Sequence, residues 1–326
     1  MEFPMKGVEH KYIVTEVGNR VHCVVAGAGP PVLLLHGFPE FWYSFRYQIP
    51  ALAAAGFRVI VPDTRGAGES EIVEASDKYM WNDIIGDTVA VLKGLNVTEK
   101  VLVVGHDWGA MFAGQLSRIR PDLVRAVVYL GFIPFTWRAQ LTLVEDMRLV
   151  FGDEVYIHVF QVSLPLSHLL LQEKTSSLML AFLSRWSDDP QLRIPKVSSD
   201  KEEALPDWIT SADLQFYADT FDKTGFTPSL NVYRNFKRST ELNAPFIDTI
   251  LEHPSLLIKA TRDTGHQNVS NSQLCLDPEE ILAANKPLFP NLQKVVVIDA
   301  NHFMHQEKHE EVNKAIIEFL ISCPPS

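Results

Sequence analysis

Apolar residues recur along the chain in short dense runs separated by longer amphipathic stretches. HKYIVTEV (His10 to Val17) and RVHCVVAG (Arg20 to Gly27) read as a β-hairpin. PVLLLHG (Pro31 to Gly37) follows as a nearly all-apolar strand, the kind buried on both faces of a sheet. Alternation then sets in, with helix YSFRYQIPALAAAG, strand FRVIVPD, helix MWNDIIGDTVAVLKGL, strand KVLVVGHD, helix AMFAGQLSRI and strand VRAVVYLG. Strands alternating with helices in this way predict an α/β fold with a parallel, doubly wound sheet.

The pattern changes near Phe132. Until about Ala244 the chain reads as helical and bears Trp and Pro, with a charged, strand-poor stretch around Ser187 to Asp207. Strand and helix character resumes with SLLIKAT, KVVVIDA and the closing amphipathic HEEVNKAIIEFLIS. The expected organisation is one α/β core split between residues 1–132 and 247–326, with a helical cap, residues 133–246, inserted between its halves.

At 326 residues and 46% hydrophobic the chain can bury a large core. Its 29 Lys and Arg against 40 Asp and Glu give a formal net charge of −11, which argues against nucleic acid as a partner. No segment approaches the roughly 18 uninterrupted apolar residues of a membrane span, and the N-terminus has no signal-peptide core. Cys23, Cys275 and Cys323 are scattered, without metal or disulfide spacing, so a cytoplasmic protein is expected. The sequons at Asn96 and Asn268 are then chance matches.

Open parallel sheets bind ligands at the carboxyl ends of their strands. The strands here end in His36-Gly37-Phe38-Pro39, Asp63, Asp107, Asp263 and Asn301-His302. Among these, Asp107, Asp263 and His302 come in the chain order nucleophile, acid, base of the α/β-hydrolase fold, with Asp in place of Ser inside the elbow Gly105-x-Asp107-x-Gly109. The bland alternatives are a helix N-cap for Asp107, a turn former for Asp263 and a structural histidine for His302. Their joint order at strand ends favours the triad. His302, His305 and His309 are spaced as on one helix face, yet no HExxH or cysteine partner accompanies them, so no metal is expected. The glycine pairs in VAGAGP and RGAGES lack a dinucleotide fingerprint, so no cofactor is expected either.

A carboxylate nucleophile suits an sp3 carbon bearing a leaving group, because attack on a carbonyl yields only a labile anhydride. The resulting alkyl ester of Asp107 can be hydrolysed by a water that His302 deprotonates, with Asp263 holding the imidazole. The backbone N–H groups of Phe38 and Trp108 are placed to form the oxyanion hole.

HGFPEFWYSFRYQIPALAAAGFRVIVPDTRGAGES, VVGHDWGA, FYADTFDKTGFTPSLNVYRNF and NHFMHQEK resemble the soluble epoxide hydrolases, from about Lys11 to the end of the chain. The resemblance implies conversion of epoxides to vicinal diols, with two cap tyrosines donating to the epoxide oxygen. These correspond to Tyr156 in YIHVFQ and Tyr233 in NVYRNF. It also implies a substrate loop of His36, Gly37, Phe38 and Pro39 with a cis peptide before Pro39, a small lipophilic epoxide and water as partners, and allows a homodimer. Some members carry an N-terminal phosphatase domain, which this sequence lacks.

Three features depart from the family pattern. Asn301 stands where the family has glycine, tolerable if it takes left-handed backbone geometry. The usual Glu-Pro-Gly is missing around Val162 to Leu166, and Thr264-Gly265-His266 after the acid is unusual. Trp42, Trp137, Trp186 and Trp208 suggest a lipophilic cleft between cap and core, although packing alone accounts for such residues too. Two alternatives stay open: a haloalkane dehalogenase, which shares the Asp-Trp pair, and a non-catalytic binding protein on the same scaffold.

Overall fold

The computed structural model describes residues 5–134, 137–161, 174–185, 193–194, 204–246, 249–263 and 277–323. Eight strands form one sheet: β1 Glu9–Val14, β2 Arg20–Ala26, β3 Pro31–Leu35, β4 Arg58–Pro62, β5 Val101–His106, β6 Val124–Leu130, β7 Ser255–Ala260 and β8 Leu292–Ile298. Their spatial order is β1-β2-β4-β3-β5-β6-β7-β8. β2 runs antiparallel to β1 and β4, and the remaining neighbours are parallel.

Burial follows position in the sheet. Every residue of β3, β5 and β7 is buried, as the unbroken apolar runs predict for strands covered on both faces. The edge strand β1 mixes exposed and half-buried positions, and β8 mixes exposed, half-buried and buried ones. Helices α1 Gln48–Ala54, α2 Trp81–Gly94 and α3 Trp108–Ile119 connect the strands of the first half.

The single helix expected over YSFRYQIPALAAAG is instead a 3-10 turn, Trp42–Phe45, followed by α1. Pro50 explains the break. Inside one continuous helix its ring would clash with the carbonyl one turn earlier, whereas a restart at Gln48 leaves it in the first turn, where no amide is needed.

Among the described residues, the stretch between β6 and β7 contributes helices and only an isolated bridge between Val155 and Arg193. The helices are Trp137–Phe151, Tyr156–Val159, Thr175–Arg185, Ser211–Thr224, Thr227–Arg234 and Phe236–Leu242. Thr210 starts Ser211–Thr224 as its N-cap, accepting from the Asp213 amide while the Asp213 carboxylate returns to Thr210. Buried polar contacts tie this helical stretch to the sheet region. The Tyr43 hydroxyl donates to Asp213 over 2.6 Å, Tyr217 donates to Gln306 over 3.2 Å, and the Trp81 amide donates to Ser239 over 3.2 Å. No helix among the described residues is long and apolar enough to cross a membrane. Cys23 and Cys323 are buried free thiols, and Cys275 lies outside the described residues.

Candidate active site

The turn between β5 and α3 explains why Gly-x-Asp-x-Gly is needed there. A Cβ on Gly105 would run into the Gly109 carbonyl, and one on Gly109 into the Leu35 carbonyl. Only bare backbone lets α3 start so close over β3 and β5. Asp107 between them has φ 53°, ψ −122°, a conformation that costs a non-glycine residue on the order of 1–3 kcal/mol. It occupies the N-cap position of α3 but makes no side-chain cap hydrogen bond. The bland reading of Asp107 therefore fails, and its carboxylate is held out for other partners.

Those partners come from two other strand ends. The Phe38 amide donates to Asp107 Oδ1 over 2.9 Å, and Asp107 Oδ2 faces His302 Nε2 at 3.6 Å, longer than a hydrogen bond. On the far side of the ring His302 Nδ1 meets Asp263 Oδ2 at 2.9 Å. Burial disfavours the His302 cation, but Asp263, Asp107 and Glu40 outweigh it and push the ring up to about 9.

The loop after β3 is shaped by its own contacts. The peptide before Pro39 is cis. A Cβ on Gly37 would strike the Asp107 side chain, so glycine permits the approach of loop to elbow. His36 faces the backbone: Nδ1 donates to the Gly37 carbonyl over 2.9 Å, and Nε2 accepts the Thr64 amide over 3.0 Å. It holds the loop and has no nitrogen left for a substrate.

Asn301 corrects an expectation. Among the described non-glycine residues only Asn96 and Asp107 have positive φ, so Asn301 is not left-handed. Its side chain instead accepts the Phe303 amide over 2.8 Å and donates to the Leu183 carbonyl over 3.2 Å, closing a turn around His302 and tying it to helix Thr175–Arg185. Val162 to Leu166 and Thr264 to His266 lie outside the described residues, as does Trp186.

Tyr156, on Tyr156–Val159, and Tyr233, on Thr227–Arg234, are both buried, and Tyr233 packs edge-on against Phe38, whose amide holds Asp107. Their rings lie 6.3 Å apart and nearly perpendicular. Burial raises both phenols, and the Asp107 charge raises each further. Trp108 packs edge-on against Tyr233, with centroids 4.9 Å apart at 89°, and its indole acts on the phenol against the larger raising effect of burial. Phe38, Phe160, Tyr233 and Phe182 form the surrounding aromatic wall, with Phe38 meeting the other three edge-on.

Three buried ionisable residues lie beneath the triad, Glu40, His106 and His305; the sequence reading missed the first two and weighed His305 only as a metal ligand. The signal was available, since Glu40 sits inside the aromatic run FPEFW and His106 ends an all-apolar strand, where a polar side chain needs a partner. Among the described residues this is the one group whose donor atoms, all within 4.8 Å of one another, could be considered for a metal. The fit is poor, because His106 Nδ1 is already on Glu40 Oε2 at 2.8 Å and Nε2 on the His302 carbonyl at 2.9 Å. His302 and His309 do not join it on one helix face, because Met304–Glu307 and His309–Ser322 are separate helices.

The alpha/beta hydrolase fold family matches residues 30–309 of this chain. Epoxide hydrolase 3 of Siraitia grosvenorii is 36% identical over 323 residues, 97% of this chain and 99% of the relative. Epoxide hydrolase A of Mycobacterium tuberculosis is 32% identical over 327 residues, 96% of this chain and 98% of the relative. A solved epoxide hydrolase of Vigna radiata superposes with a TM-score of 0.85 at 32% identity, over 97% of this chain and 99% of that one. With a carboxylate at the elbow and full-length likeness of both sequence and structure, the chain belongs to the epoxide hydrolases of the α/β-hydrolase fold.

Proposed function

We propose that this enzyme opens epoxides to vicinal diols in two steps, through an alkyl ester on Asp107. Asp107 Oδ2 attacks an epoxide carbon, the carbon–oxygen bond breaks, and the departing alkoxide takes its proton from the Tyr156 and Tyr233 pair. His302 Nε2 then removes a proton from water, and the hydroxide adds to the Asp107 carboxyl carbon. The oxyanion forms on Oδ1, where the Phe38 amide already donates over 2.9 Å, with the Trp108 amide as the second donor. Collapse breaks the bond to Oδ2 and releases the diol, and the proton on His302 returns to the tyrosine pair. Asp263 holds the imidazole and balances its charge.

The observation that carries the choice of leaving group is the pair of buried phenols, Tyr156 and Tyr233, with Tyr233 packed edge-on against Phe38 and Trp108 and the Asp107 charge acting on both. A halide leaves as an anion and needs N–H donors. A strained epoxide oxygen needs a proton, and a neutral phenol can give it.

Residues 133–246 act in this scheme as a cap that brings the tyrosines over the nucleophile. The aromatic wall around Phe38 favours small lipophilic epoxides. The two buried free thiols fit a cytoplasmic protein, and a homodimer is compatible with the scheme. The decisive experiment gives the purified protein aryl and fatty epoxides beside terminal bromoalkanes and scores diol and released halide. Diol without halide is expected, and halide without diol overturns the assignment.

A further inference from the structure

Asn301, immediately before the base, is where three parts of the chain meet. Its backbone amide donates to Glu307 Oε2 over 2.6 Å. The other oxygen of Glu307 accepts from the Arg262 guanidinium over 2.5 Å, and Arg262 adjoins Asp263, the acid that meets the base. Arg262 also pairs with Asp299 at 3.3 Å, and its amide donates to the Ala300 carbonyl over 3.0 Å. On one side, therefore, the turn that carries His302 is clamped to the end of β7.

The Asn301 side chain reaches the other way. Its Oδ1 accepts the Phe303 amide over 2.8 Å, which closes the turn around His302, and its Nδ2 donates to the Leu183 carbonyl over 3.2 Å. Leu183 belongs to the last turn of helix Thr175–Arg185, where carbonyls have no partner within the helix. The residue before it, Phe182, is fully buried in the aromatic wall, its ring centroid 6.0 Å from that of Phe38 and 6.2 Å from that of Phe226. Glycine at position 301 would make neither side-chain bond. One amide group thus spans from the turn of the base to the helix that supplies part of the wall.

We infer that Asn301 is a positioning residue that sets substrate selectivity: through the Leu183 carbonyl it holds the helix bearing Phe182 at a fixed distance from the turn of His302. It touches no reacting atom. The inference rests on the two-step scheme above, in which the hydrocarbon substituent of the substrate stays attached to Asp107 while His302 activates water. A substituent seated against Phe182 is then seated relative to the base as well, because a close-packed helix passes on a push without absorbing it. Without the Asn301 bond, the helix yields to the substituent while the turn stays clamped to β7 through Glu307 and Arg262. Ester and base then fall out of line, by more as the substituent grows, and a misplacement of about 1 Å costs on the order of a hundredfold in rate. Ester formation uses Asp107 and the tyrosines and does not need the base, so it escapes this coupling.

The test compares Asn301→Ser with the native enzyme, because a serine hydroxyl still accepts the Phe303 amide but is too short to reach Leu183. Ester formation and ester decay are followed separately, by quenched flow with intact-protein mass, for propylene oxide, 1,2-epoxyoctane and stilbene oxide, a series of growing substituents. Formation should stay within about twofold for all three, while decay stays within about twofold for propylene oxide and slows by about tenfold or more for the two larger esters. In a Phe182→Leu background, where the wall no longer presses on the substituent, the same substitution should lose its dependence on size. Equal slowing of decay for all three epoxides would overturn the inference, because Asn301 would then only hold the turn. Unchanged decay in a folded variant would overturn it too, as would a size dependence that survives Phe182→Leu. A native enzyme that forms no ester with any of the three would bring down the two-step scheme, and the inference with it.

Discussion

The Phe38 amide donates to Asp107 Oδ1 over 2.9 Å, so the two oxygens of one carboxylate are not equivalent. Oδ1 already lies where an oxyanion would develop, while Oδ2 faces His302 at 3.6 Å. The nucleophilic oxygen and the oxyanion of the next step are thereby separated before any substrate arrives. In a single turnover in water enriched with heavy oxygen, the first diol should carry no label, and one heavy oxygen should appear in the peptide containing Asp107. Peptide mass spectrometry decides this, and label in the first diol would mean direct attack by water.

Replacing His302 should separate the two steps. His302→Gln removes the base but not the nucleophile, so ester should form and then persist, with decay slowed by about two to four orders of magnitude. Asp107→Ala should form no ester and no diol. Intact mass after mixing with substrate distinguishes the two variants.

The pH dependence of stability carries a sign that follows from His302. Its folded value of about 9 lies above the ordinary 6.5, so the native state keeps a proton that the unfolded chain releases between those values. This contribution, on the order of 3 kcal/mol, is fully present below pH 6.5 and is lost as pH rises through about 9. Urea unfolding across that window should show falling stability, and the fall should be much smaller in His302→Gln.

Alkylation also alters the base. Asp107 is one of the charges that raise His302, and as an ester it is neutral. Ester decay should therefore titrate with a midpoint below 9, measured by single-turnover decay against pH. A midpoint at or above that of the resting enzyme would contradict the coupling.

Trp108 and Tyr233 should behave as one unit. Tyr233→Phe removes the donor to the alkoxide, and Trp108→Phe removes the indole packed edge-on against it. Each should slow ester formation by about tenfold or more, and the double variant should lose less than the product of the two. Fully multiplicative losses would show that Trp108 acts independently of Tyr233.

Much of this was legible in the residues, for reasons that are local. Unbroken apolar runs such as those of β3 and β5 can only be strands covered on both faces, and Gly105-x-Asp107-x-Gly109 after such a strand describes a turn with no room for side chains. The order Asp107, Asp263, His302 at strand ends then follows the chemistry of an ester intermediate. The sequence by itself therefore determined the sheet class and the kind of chemistry, and it set Asp107, Asp263 and His302 at strand ends as candidates for carrying it. Tertiary structure alone decided which groups oppose one another across the chain: the Asp107 oxygen that Phe38 takes, the Trp108 ring that packs on Tyr233, and the Glu40 carboxylate that meets Gly37 and His106. Such pairings join residues far apart in the chain, where neither periodicity nor spacing carries information, and only the packed core brings their donors and acceptors within reach.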